Sequence, residues 1–329
     1  WEPQSTNLIT QSELFSDASW QKIRTTISSN DLISPEGILN ADKLIEDNST
    51  DTHLMWSQTI SISIGDKMTW SVFAKKGERN WIYLRDTQAG SFTTWFDLEN
   101  GTIGTETGSV ESKIKDYGNG WYRCSITYTA TTTSARGRIY LAKNNNQEPY
   151  QGDGTSGVYI WGAMLEQGNI SSYIPTSGAT VTRNQDVCTN GGSLATINST
   201  EGVLYAEIAA LSDDGTTRRL AISDGSTSNR VFIGYDVSTN SVQFVVSSEG
   251  SVVVNQTFTI SDTTQFNKLA LKYKLNDCSL WINGVEVGTD TSALMPIGLN
   301  EVMFNQGTAS RIFFGKTKAL AVWKEALSD

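Results

Sequence analysis

Apolar and polar residues alternate with a period of two along most of this chain, and stretches with helical spacing are few. The alternation predicts strands over 57–64, 68–75, 81–86, 93–98, 121–129, 136–142 and 158–165. Turn-forming residues punctuate them. Asn100-Gly101, a pair that tolerates positive φ, predicts a hairpin between Asp97–Glu99 and Thr102–Gly104. In the last strand of this series Tyr159, Trp161, Ala163 and Leu165 are expected on one face and Ile160, Gly162, Met164 and Glu166 on the other. Pro175, Ser177 and Gly178 then stop it.

From Thr180 to Ser199 the residues turn small and polar around Gly191-Gly192, which reads as a partly packed linker over 179–199. Strands resume over 202–209, 218–223, 230–237, 241–247, 251–260, 267–274, 278–282 and 312–323. Within 268–287, turns at Asn276-Asp277 and Asn283-Gly284 predict a double hairpin. The expected fold is all-β, two β-sandwich (jelly-roll) domains in tandem over 1–178 and 200–329. A chain of 329 residues with 38% apolar content can fill two cores.

Composition narrows the function. A net charge of -10 opposes electrostatic capture of nucleic acid or of an anionic membrane, and leaves neutral sugars compatible. The sequence has neither an 18-residue apolar run nor a basic-then-apolar start, so neither a membrane span nor a secretory signal is expected in it. Cys124, Cys188 and Cys278 lack zinc-site spacing, and Cys124 is expected as a buried free thiol. His53 is the only histidine, expected at a strand end or on the surface, which argues against Ser-His-Asp and Cys-His catalysis.

Sugar recognition needs flat apolar rings beside polar groups that meet hydroxyls. Eight of the ten tryptophans precede residue 178. Over 79–86, Arg79, Trp81, Tyr83 and Arg85 share one face while Ile82 and Leu84 take the other, so the first set is expected to look outward or into a cleft. Arg136, Arg138 and Tyr140 form a similar face opposite Ile139 and Leu141. The candidate ligand-binding residues are therefore Trp81, Tyr83, Arg85, Trp95, Arg138 and Tyr140; Trp121, Tyr122 and Trp161 read as packing residues. The competing reading has Trp81 and Tyr83 covered by a loop or another subunit.

Four phrases carry a resemblance. Residues 1–20 (WEPQSTNLITQSELFSDASW), 41–47 (ADKLIED), 118–123 (GNGWYR) and 159–186 (YIWGAMLEQGNISSYIPTSGATVTRNQD) resemble a β-sandwich module of phage head-fibre and tail-fibre proteins. Residues 268–287 and 313–329 resemble laminin-G-like and concanavalin-A-like sandwiches. The first resemblance implies a noncatalytic fibre or spike fragment at the virion surface that attaches to bacterial cell-surface glycans. Its implied partners are those glycans, other virion proteins and further copies of itself, such as a trimer. No nucleic acid and no membrane insertion are implied, and the start in mid-phrase implies a longer parent chain.

The alternatives are a structural virion spacer and the accessory carbohydrate-binding module of a secreted glycanase. Glucanases of the concanavalin-A-like fold carry E-x-D-x-x-E on one strand, whereas Glu201, Glu207, Glu249, Glu286 and Glu325 are each isolated. No cofactor is required. Both sandwich families admit a structural calcium ion, for which Asp153 and Asp224, with Asp213 and Asp214, are the expected ligands.

Overall fold

The computed structural model describes residues 1–188 and 190–328; Thr189, inside the expected linker, and Asp329 lie outside the described residues. Among the described residues the regular elements are all strands. The chain forms two β-sandwiches, one from residues 4–184 and the other from Gln185 onward together with Trp1–Pro3.

In the first sandwich each sheet has six strands. One runs Thr102–Thr107, Phe92–Asp97, Trp81–Asp86, Arg138–Ala142, Leu54–Trp56 and Gln21–Ile23; the other runs Val110–Asp116, Trp121–Thr129, Lys67–Lys76, Gly157–Gln167, Leu39–Glu46 and Thr25–Ile33. All these pairings are antiparallel. Ile82, Leu84, Ile139 and Leu141 from one sheet meet Trp70, Val72, Ile126 and Ile160 from the other in a single core, which is why their strand neighbours face away from it. Cys124 is fully buried there, and burial pushes its thiol far above the usual range.

Two expectations change. The strand expected over 57–64 forms instead at Leu54–Trp56, followed by the short piece Ile60–Ser61. The strict alternation expected through 159–166 breaks at Gly162, which sits in a β-bulge at φ +61°. Ile160 on one side of the bulge and Ala163 and Leu165 on the other therefore all enter the main core. Trp161 is buried on the outer face with Phe73 and Trp121 rather than beside Ala163 and Leu165.

The stretch expected as a linker is in part sheet: Val181–Arg183 pairs with Ser5–Asn7 inside the first sandwich. Ile197 belongs to the core of the second. Trp1, expected with the first domain, stacks on Phe304 of the second at 3.9 Å between centroids.

The second sandwich pairs two five-stranded antiparallel sheets. Its double hairpin forms as expected from Asn267–Lys274, Cys278–Ile282 and Val285–Asp290. Asn283 and Gly284 both take positive φ, 52° and 84°, as a two-residue hairpin turn requires.

Candidate functional site

The outer face of the sheet containing Trp81–Asp86 is built by register. Gln21, Trp56, Arg138, Arg85 and Thr93 lie in one cross-strand row. Ile23, Leu54, Tyr140, Tyr83 and Trp95 form the next, and Ala142, Trp81 and Asp97 a third. All six expected ligand-binding residues thus stand on one face, on three adjacent strands, with Ile82 and Leu84 turned into the core.

Facing away from the core is not the same as exposure, and here the expectation is corrected. Tyr83 is fully buried, and Trp95 and Tyr140 are only 4% and 5% exposed. Their rings form a ladder: Tyr83 stacks on Trp95 at 4.6 Å and on Tyr140 at 4.2 Å, so both faces of Tyr83 are occupied. Strands lie about 4.8 Å apart, close to the centroid spacing of an offset-stacked pair, so three aromatics in one row can cover each other. Trp81, Arg85 and Arg138 remain half-buried around the ladder. Arg79 leaves the face altogether, because its guanidinium binds Glu46 and Asp153.

Several polar atoms of this face lack partners. Tyr83 Oη, Trp95 Nε1, Arg85 Nε and Arg138 Nε are all enclosed without a hydrogen bond, as is Glu148 Oε2 beside them. Buried polar atoms are almost always satisfied in native proteins, and each orphan costs about 1–3 kcal/mol. The five atoms are enclosed, so the groups of this face within reach of a ligand are the half-buried Trp56, Trp81, Arg85 and Arg138.

Two flanking groups were not legible in the sequence. Trp56 enters through a strand starting three residues before the one expected, and its ring carries the guanidiniums of Arg136 at 5.8 Å and Arg138 at 5.6 Å. Glu148, in the loop after Ala142, reaches to 3.7 Å from Arg85, and burial pushes its carboxyl above the usual range. The same loop is tied across the sheet by Asn145, whose Oδ1 accepts from the Thr105 N–H at 2.7 Å. Gly104 permits that approach, since a Cβ there would fall 2.4 Å from Asn145 Oδ1 and 2.7 Å from the Trp81 ring.

The expected calcium ligands have protein partners. Asp153 accepts from Ser156 N–H and Oγ and from Thr155 N–H, which hold it well below the usual carboxylate range, and Arg79 lies 3.1 Å away. Burial alone would raise Asp224, but Ser226 and Asn229 donate to it and bring it below its ordinary value. Asp214 is paired with Arg218, and Asp213 accepts from the Asn240 N–H. Among the described residues no three His, Cys, Asp or Glu side chains converge to hold a metal. His53 sits at a strand start as expected but is fully buried rather than on the surface, its Nε2 3.2 Å from Asp47 and its ring against Tyr150.

No family model and no curated protein matches the sequence. Among solved structures the chain is similar to domains LG4-5 of the mouse laminin alpha1 chain, at 13% identity and a TM-score of 0.29, over 83% of this chain and 86% of that one. The chain is an all-β protein of two β-sandwiches.

Proposed function

We propose that this chain is a noncatalytic glycan-binding protein whose first sandwich binds sugar on the Trp95–Tyr83–Tyr140 face. The observation that carries the reading is the set of half-buried Trp56, Trp81, Arg85 and Arg138 around a fixed aromatic ladder. Rings that stack on each other cannot each stack a sugar, so the ladder acts as a floor. The half-buried Arg85 and Arg138 beside it meet sugar hydroxyls, while Trp81 and Trp56, also half-buried, supply apolar contact at its margins. The phrases at 118–123 and 159–186 support placing the module on a phage fibre or spike, at the virion surface and directed at bacterial glycans. Weak single sites would suffice there, because multivalent display multiplies effective affinity.

Burial of the ladder favours the rival reading, a structural spacer, and two substitutions probe the face. Tyr83→Phe deletes only an unpartnered hydroxyl. It should leave the melting temperature unchanged or raised and the glycan affinity unchanged, because the hydroxyl is enclosed beneath the face. Trp81→Ala should weaken binding by a hot-spot increment, about thirtyfold. Calorimetric titration with the glycans selected on an array reads both. Absence of any glycan binding would support the spacer; equal binding by wild type and Trp81→Ala would move the sugar site off this face.

A further inference from the structure

We propose that the glycan bound on this face carries an anionic substituent, a uronate carboxylate or a phosphate, held by Arg138 together with Arg85; the inference rests on the glycan reading and names its ligand class. The two arginines are direct cross-strand partners. Like charges placed opposite each other on neighbouring strands repel, and such a pair is retained at a cost unless an anion is shared between them. The protein supplies half of that anion. Glu148 reaches Arg85 at 3.7 Å, too far for a hydrogen bond, and its second oxygen is unpartnered.

Arg138 has no ion-pair partner among the described residues. Its Nη1 reaches only Tyr140 Oη at 3.4 Å, its Nε is enclosed without a partner, and its plane lies over the Trp56 ring at 5.6 Å. Arg136, over the same ring, is turned to Thr59 Oγ1. Asp97, at the end of the face, is already engaged by the Glu99 and Asn100 N–H groups. Arg85 and Arg138 against Glu148 therefore leave one positive charge uncompensated, in a position held by stacking. A guanidinium fork matches a carboxylate or phosphate edge with two parallel hydrogen bonds. The Tyr83 and Trp95 rings lie in the next row as a fixed floor beside the two arginines. The chain's charge of -10 does not oppose this, because a single substituent is governed by charges within a Debye length of about 8 Å.

The full chain is tested on an array of uronate-bearing, phosphorylated and neutral oligosaccharides. Titration calorimetry follows with the best acidic glycan and with its methyl-esterified or dephosphorylated counterpart. The expected result is a preference for the acidic form of about tenfold or more, lost in Arg138→Gln and partly restored in Arg138→Lys. Which acidic set binds identifies the oxyanion. Equal affinity for acidic and neutral forms overturns this inference and leaves the glycan reading standing; no binding to any glycan removes both. Should Arg138→Gln melt early, Arg85→Gln decides: loss of the acidic preference supports the inference, and its retention overturns it.

Discussion

At the scale of single residues, the Glu46 carboxylate shows how a polar group is kept inside a sandwich. Glu46 is buried, and it accepts from Arg79, from Tyr150 Oη at 2.7 Å and from the Asp153 N–H at 2.9 Å. Burial alone would raise its pKa; these hydrogen bonds outweigh that and hold it below the usual range. A carboxylate depressed in the folded state contributes stability above its unfolded value, about 4.3, and loses it as pH falls through the native value. The stability difference between wild type and Glu46→Gln should therefore be largest near neutrality and shrink below about pH 5, read from urea midpoints. Buried carboxyls that are raised, such as Glu166, act in the opposite sense, so the comparison isolates Glu46 only as a difference. Arg79→Ala strands the buried carboxylate and should cost about 3 kcal/mol at neutral pH.

At the scale of elements, one glycine sets which face of a central strand enters the core. Gly162 takes a φ of +61°, and a Cβ there would approach the Phe73 ring to 2.9 Å. The bulge it permits allows Ile160, Ala163 and Leu165 to point inward together, while Trp161 packs outward against Phe73 and Tyr173. Gly162→Ala should thus destabilise the first sandwich by about 1–3 kcal/mol, seen as a lower urea midpoint with an unchanged denaturant slope. A neutral outcome would mean that the strand tolerates a side chain at the bulge. The ladder face obeys the same element-level logic: alternation chose the side for Tyr83, Trp95 and Tyr140, and lateral register brought their rings together.

At the scale of the whole molecule, residues 4–184 contain a complete core between two six-stranded sheets and both ends of their own terminal pairing, Ser5–Asn7 with Val181–Arg183. A fragment of residues 4–184 should therefore unfold in one cooperative transition and keep the glycan affinity of the full chain. Differential scanning calorimetry and titration of the fragment check this. A broad, noncooperative melt would show that the sandwich depends on the rest of the chain. Trp1 should be dispensable for that fragment, since its ring stacks on Phe304 and its carbonyl accepts from the Gly315 N–H.

What the sequence determined by itself was local and periodic: the all-β class, most strands, the hairpin turn at Asn283-Gly284, and the separation of Trp81, Tyr83 and Arg85 from Ile82 and Leu84. Alternation and turn chemistry act between near neighbours, so one chain suffices to read them. Tertiary structure decided everything that depends on what lies beside a strand. It placed Trp56 next to Arg138 and Glu148 next to Arg85, and it moved Arg79 off the face to Glu46. It also turned an expected exposed stripe into a buried ladder with unpartnered tips. The reason is that strand order and register join residues far apart in the chain, and a period of two carries no information about which strand comes to lie alongside.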